Sequence, residues 1–341
     1  MLIVPLQSLP QDAGERSKIL GRYFQRQVAS SRRVEQGWAI DLAVPASAGF
    51  YIDPDLEGGL RWWSDDMSVS AIPLAVRQED GFQLSLNDNW TLLSWSCWLS
   101  GRVQPPAVLS ILHLDSHGDL MSPRLSRRSG KWVDLISGKT FDLKQPGTVA
   151  SAIGSGAVGI GSFICPLLHE VPSLNLFHLC HRHCLQRPPG RYAMKPVLGG
   201  DDPLFEHARR PQIELTPSSE RSDPLMGTYL LGGDLDSLLD NIPAGPLLLH
   251  LDLDYFNNRY DGNPDWEAAG DRHDPGQDEI VEAIDTLFAA LTSSHLVRRV
   301  EDISAALSPS FFPARFWPVA VDRLRSGVRL LASAPALQGG R

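Results

Sequence analysis

Short apolar runs punctuate this chain at intervals, separated by stretches rich in polar residues, proline and glycine. Val108 to Leu114 (Val-Leu-Ser-Ile-Leu-His-Leu), Leu174 to Leu179 and Leu247 to Leu253 have the length and branched character of buried strands. Phe82 to Leu86 reads as a further strand, and Trp90 to Leu99 as an apolar helix started by Asn87 or Asp88 as its cap. Small residues from Thr148 to Ser162 predict a helix packed closely on a sheet, and Leu235 to Leu239 a short helix. Asp278 to Leu291 carries the clearest helical period: Ile280, Ile284, Leu287, Phe288 and Leu291 share one face, and Pro275, Asp278 and Glu279 suit its start. From about Phe82 onward, strand and helix alternate. That order predicts an α/β fold with a mostly parallel sheet covered by helices on both faces, and ligands at the carboxyl ends of its strands.

Two regions stand apart from the alternation. Residues 1–80 hold strand-like pieces, Trp38 to Val44 and Val69 to Val76, broken by turn residues, and form an N-terminal segment packed on the core formed by residues 81–330. Within that core, Leu185 to Gly227 is rich in proline, arginine, glycine and aspartate with little periodicity, a long insertion of the kind that is functional or mobile. The basic stretch Arg22 to Arg33 reads as a solvated helix face.

Composition narrows the class. At 341 residues, with 43% hydrophobic and 21% charged content, the chain is an ordinary globular protein. A net charge of -9 argues against a nucleic-acid partner bound through a basic surface. Four scattered cysteines make no disulfide framework, and no segment has the pattern of a signal peptide or a membrane span. A cytoplasmic location is expected. The sequence carries no signal of an oligomeric state.

The chemistry gathers where two apolar runs end. His113-Leu-Asp115-Ser-His117-Gly-Asp119 follows the first, and His250-Leu-Asp252-Leu-Asp254 the second. In extended chain, Asp115, His117 and Asp119 would share a face, as would Asp252 and Asp254. Carboxylates crowded at a strand end repel one another and resist desolvation, and a divalent cation removes both problems. Carboxylates with one imidazole and no thiolate favour a hard to borderline ion such as Mn²⁺ over Mg²⁺, Fe²⁺ or Zn²⁺. Five ligands are too many for one tetrahedral zinc and suit two ions about 3.5–4 Å apart. An Asp-x-Asp alone is equally a helix cap or the metal motif of a nucleotide-sugar transferase; the Asp-x-His-x-Asp before it makes the pair specific.

Other motifs carry less. Gly154-Ser-Gly-Ala-Val-Gly159 matches the dinucleotide fingerprint, but no apolar strand precedes it, so its glycines read as helix packing. His178-Leu-Cys-His-Arg-His-Cys184 is dense in soft ligands but lacks a second pair to close a zinc site, which leaves one histidine facing the active-site rim as the lesser reading. There is no Gly-x-Ser-x-Gly elbow, Walker loop or His-Glu-x-x-His helix.

Asp115-Ser-His117-Gly-Asp119 resembles the Asp-x-His-x-Asp motif of the arginase, agmatinase and deacetylase superfamily, and Asp252-Leu-Asp254 its later Asp-x-Asp. His113 to Leu120 and Leu251 to Phe256 resemble the branch that contains the peptide arginases of ribosomal peptide (RiPP) biosynthesis. The likeness spans roughly residues 80 to 310. It implies a three-layer α/β/α sandwich and two manganese ions: Asp115 and Asp252 bridging, His117 and Asp254 completing one ion, Asp119 completing the other. The family's remaining ligand is a histidine, and Asn89 stands in its place, which implies a weakly held ion; Asp88 is the lesser substitute. Where true arginases hold the guanidinium with a glutamate on the last strand, Ile303 to Pro309 offers Ala306, so Glu301, Asp271, Asp274 or Asp261 would have to serve.

The implied activity is hydrolysis of a guanidino group, converting arginine within a peptide to ornithine and releasing urea through a hydroxide shared by the ions. Asp119 would orient that hydroxide. His273, or the His178 to His183 group, would carry the proton to the leaving amine. The alternatives are a related amidino or amide hydrolase of deacetylase type, and a non-catalytic peptide-binding homologue.

Overall fold

The computed structural model describes residues 2–24, 27–218, 226–270 and 272–334. In chain order the strands are β1 (Leu2–Val4), β2 (Val28–Val34), β3 (Gly37–Ala43), β4 (Val76–Glu79), β5 (Phe82–Ser85), β6 (Leu109–Leu114), β7 (Leu125–Arg128), β8 (Lys131–Asp134), β9 (Thr140–Phe141), β10 (Leu174–Leu179), β11 (Gly190–Asp201), β12 (Arg209–Pro217), β13 (Gly227–Gly232), β14 (Leu247–Asp252) and β15 (Val300–Ala306). The helices are α1 (Ala13–Phe24), α2 (Leu56–Trp63), α3 (Thr91–Ser100), α4 (Pro146–Ser155), α5 (Ile164–Glu170), α6 (Leu235–Asp240), α7 (Gln277–Ser293) and α8 (Trp317–Ser333).

Nine strands form one mixed sheet in the order β12-β11-β13-β10-β6-β14-β15-β5-β4. The six from β13 to β5 run parallel, and antiparallel strands close both edges. β6 and β14, with every residue buried, lie side by side at the centre, as continuous apolar runs require of strands covered on both faces. Alternate residues divide between two apolar clusters. Leu112, Leu114, Leu249 and Leu251 join the side chains of α7 and α8, while Leu109, Ile111 and Leu248 join those of α3, α4 and α5. At about 25 cal/mol per Å² of apolar surface removed from water, such double coverage dominates the stabilisation of the sheet.

α7 buries the predicted face, and Glu279 reaches back to accept from the Gly276 amide at 2.7 Å. α8 crosses it closely at Gly327, where an added Cβ would lie 2.2 Å from the Phe288 ring. A third cluster joins Val4, Leu20, Tyr23, Phe24 and Trp38 of the N-terminal segment to Leu204 and Phe205 of the β11–β12 connection. Among the described residues, no helix is long and apolar enough to cross a membrane.

Four elements differ from expectation. Val69–Leu74 is a 3₁₀ helix rather than a strand, because Pro73 has no N–H for a ladder. The helix expected to Ser162 stops at Ser155, where Gly156 takes a left-handed φ of 84°. A 3₁₀ turn at Asp88–Trp90 precedes α3, and neither Asn87 nor Asp88 caps it with a side chain. The described part of Leu185 to Gly227 is largely ordered as the β11–β12 hairpin, which extends the sheet beyond β13.

Candidate metal centre

Sheet register brings the motifs together. Leu114 pairs with Leu251 of β14 and Leu179 of β10, so Asp115 and Asp252 leave their strands side by side. On the other flank Asp252 pairs with Ala306, and Ala306 with Ser85, so the chain after β5 delivers Asp88 to the same end of the sheet. The strand order alone thus places three separate segments around one point.

They line a cavity of about 550 Å³ whose wall includes Asp88, His117, Asp119, Asp252 and Asp254. All five aspartates of this region are buried: Asp88 (5% exposed), Asp115, Asp119, Asp252 and Asp254. Asp115 and Asp119 do not share the face of an extended strand, because β6 ends at Leu114 and Asp119 adopts a φ of 49°. Asp261, Ser308 and Ser310 also hold positive φ, a concentration of backbone strain that fits a site over-determined by its surroundings.

Asp88 and Asp115 each have one oxygen held by the protein and another left bare. Asp115 Oδ1 accepts from the His117 amide at 2.6 Å, and Asp88 Oδ2 from the Gly161 amide at 3.4 Å. Asp88 Oδ1, Asp115 Oδ2 and Asp119 Oδ2 are buried with no hydrogen-bond partner. Asp254 is fully engaged: Oδ1 accepts from the Ser116 amide at 2.9 Å and Oδ2 faces His117 Nδ1 at 2.9 Å. Asp252 accepts from the Asp254 amide at 3.0 Å and from the Ser308 hydroxyl. His117 turns its other nitrogen to Asp261, 3.3 Å away, the outer carboxylate that commonly orients a ligating imidazole.

Ligand atoms within 4.8 Å of one another form two groups that share Asp115: Asp115 with His117 and Asp254, and Asp115 with Asp88 and Asp119. Orphaned buried carboxylate oxygens together with an oriented imidazole fit a divalent cation, so these residues could hold a metal ion. The titration behaviour agrees. Burial, then the charge of neighbouring carboxylates, pushes Asp88, Asp115 and Asp252 well above the carboxylate range, and burial raises Asp119 to about 6. For His117, burial opposes the charged form, but Asp254 and hydrogen bonds to Asp115 and Asp261 outweigh it and raise the imidazole well above its usual value.

A third group, His113, Asp115 and His250, has similar spacing. Within it His113 engages both ring nitrogens, whereas His250 Nε2 is buried without a hydrogen-bond partner. His113 Nε2 faces the His117 carbonyl at 3.1 Å and so carries a proton, which leaves Nδ1 to accept from His250 Nδ1 at 2.7 Å. His178 does the same one strand over: Nε2 donates to the Asp115 carbonyl at 2.9 Å, and Nδ1 accepts from the Tyr229 hydroxyl at 2.7 Å. Burial pulls all three below the usual imidazole range, His178 to about 4 and His250 to about 3, so they are neutral props fixing the loop after β6.

Asn89 adjoins this set in the chain, next to Asp88. Its Nδ2 donates to the Val158 carbonyl at 3.0 Å, its Oδ1 is buried without a partner, and its neighbour Asp88 is the one in the cavity wall. The loop after α4 holds both sides of the site, since Gly161 also accepts from the Met121 amide at 2.9 Å, and a Cβ on it would meet Asp119 at 3.6 Å.

Among the candidate guanidinium partners, Glu301 pairs with Arg102 and with Trp98 Nε1, Asp274 with Arg259 and Asn257, and Asp261 with His117 and Asn258. Asp271 lies outside the described residues. His273 is in the neighbouring cavity, its ring 3.8 Å from that of His181, whereas His178, Cys180 and Cys184 line the main one. Asp88, three positions beyond the end of β5, lines the cavity beside Asp119. No model of a known protein family matches the chain, and no curated protein matches it.

Proposed function

We propose that this protein is a metal-dependent hydrolase of the arginase and deacetylase type, acting on a guanidino group, with peptidyl arginine as substrate and ornithine and urea as products. The observation that carries the reading is the pair of ligand groups joined through Asp115. In this reading the sheet and its two apolar clusters are the three layers of an arginase-like sandwich, and Mn²⁺ suits the oxygen-rich donor set. Asp115, His117 and Asp254 would hold one ion, and Asp88, Asp115 and Asp119 the other, with Asp252 bordering both. Bound ions would supply an acidified water and a positive field for the charge that develops during attack.

The chain's own groups do the rest. The acidic wall draws a cationic side chain into the cavity. Asp119, in the cavity wall, would orient the attacking water and accept its proton. Tyr229, fixed by His178, presents a hydroxyl at the cavity wall for the substrate's nitrogen. A volume of about 550 Å³ suits a side chain with flanking peptide better than a free amino acid.

Ala306 supports a second reading. It is buried beside Asp252 and supplies no carboxylate for a guanidinium, which favours an amide hydrolase of deacetylase type. Incubation of the Mn²⁺-loaded protein with arginine peptides, agmatine and acyl-lysine peptides separates the readings. Urea and ornithine from the peptide are expected; free lysine side chains with no urea would replace the first reading by the second.

A further inference from the structure

The main cavity does not end at the acid cluster. Met121 and Ile160 belong to its wall and also to that of a second cavity, of about 370 Å³. Beyond these two residues the charge reverses. Arg22 from the last turn of α1, Arg124 just ahead of β7 and Arg210 from β12 line the second cavity. In a chain of net charge -9, three guanidinium groups around one small cavity run against the trend.

Their compensation is incomplete. Among the described residues, the ion pair in this wall is Arg210 Nε to Asp202, at 3.5 Å. Asp202 is itself buried and already accepts from the Tyr23 hydroxyl at 2.9 Å and from the Leu204 and Phe205 amides at 2.8 and 3.0 Å. Arg124, 8% exposed, donates from Nη1 to the Gly156 carbonyl at 2.9 Å and from Nη2 to the Tyr23 carbonyl, but its Nε is buried without a partner. A buried guanidinium donor left unpaired is costly, and a carboxylate oxygen would satisfy it.

An acidic cavity and a basic cavity thus lie side by side, with Met121 and Ile160 between them. We propose that the basic cavity is a substrate subsite: it takes the carboxylate of an acidic residue in the peptide whose arginine enters the acid cluster. This rests on the peptidyl-arginine reading above and adds a sequence requirement to it. Arg22 and Arg210 attract the carboxylate, and Arg124 supplies the desolvated donor at its end.

The test reads binding without turnover. Fluorescent arginine peptides, with aspartate scanned through the positions flanking the arginine, are titrated against the full-length protein in EDTA, beside the same peptides with asparagine. At one register the aspartate peptide should bind at least about tenfold tighter, and N-acetyl-aspartate alone only weakly. Arg22→Glu, at an exposed helix end, and Arg210→Gln should each erase most of that preference and leave the asparagine peptide unaffected. Equal affinity at every register, or a preference that survives both substitutions, would overturn the subsite. Acid-dependent binding without urea from the Mn²⁺-loaded protein would keep the subsite and remove the hydrolase; urea formation without acid dependence would do the reverse.

Discussion

In the His117 half of the acid cluster the ligands are braced from behind. His117 Nε2 faces Asp261, Asp254 is gripped by the Ser116 amide, and the imidazole already balances carboxylate charge. In the Asp88 half, Asp88, Asp115 and Asp119 each present a buried oxygen with no hydrogen-bond partner, and the imidazole beside them, His113 Nε2, stands 3.6 Å from Asp115 Oδ2 and 3.7 Å from Asp119 Oδ2, beyond hydrogen-bond reach and neutral. The two halves share Asp115, yet the first is internally compensated and the second is not. Charge compensation and geometric rigidity are therefore supplied separately: the protein finishes one half itself and leaves the other to be finished by a cation.

Replacing the shared residue breaks both halves at once. Asp115→Asn is expected to abolish metal-dependent turnover by more than about 1,000-fold, equivalent to about 4 kcal/mol, with the fold retained by circular dichroism. Asp88→Asn should strike only the uncompensated half, weakening one ion by about 100-fold while the other binds as before, as read by Mn²⁺ titration. Asn89→Ala serves as its contrast: it removes the hydrogen bond to Val158, worth about 1 kcal/mol, and should shift thermal stability more than metal affinity. Asp261→Asn loosens the brace behind His117 and should cost about tenfold in affinity for the other ion.

The contrast also explains what was legible in the sequence. β6, β10, β14 and α7 were visible because their burial writes itself into apolar runs and a 3.6-residue period. The His117 half was visible for the same reason, since its ligands sit next to strand ends in two compact motifs. Asp88 was obscured because it precedes a helix, where an aspartate reads as a cap, and only the β15–β5 pairing brings it to the site. The β11–β12 hairpin was hidden because it adds at the polar edge of the sheet, where neither face is a continuous apolar stripe. The arginines of the basic cavity come from three distant segments, so no local pattern announces them.

The smallest expected effect is on stability against pH in the metal-free protein. Asp119 is raised by burial to about 6, and Asp88, Asp115 and Asp252 are raised as well. A carboxyl with a raised folded pKa favours the folded state below its unfolded value near 3.8, and that advantage is lost as pH rises through the folded value. His117, raised in the folded state, acts in the same direction. His113, His178 and His250, held below the usual imidazole range by burial, act in the opposite sense over the same interval, so the carboxylate contribution is read as a difference. Relative to Asp119→Asn, the melting temperature of the unaltered metal-free chain should fall by a few degrees between about pH 4 and pH 7, and saturating Mn²⁺ should remove that relative fall. A relative melting temperature that rises over that interval would mean that Asp119 is compensated in some other way.

The central claim, two cation sites joined through Asp115, is tested most directly by counting. Metal-free protein is dialysed to equilibrium against Mn²⁺ and the bound ions per chain are measured by elemental analysis. The account predicts two ions for the unaltered chain, one for Asp88→Asn and none for Asp115→Asn. An unaltered chain that binds no ion, or an Asp115→Asn variant that still binds two, would contradict it.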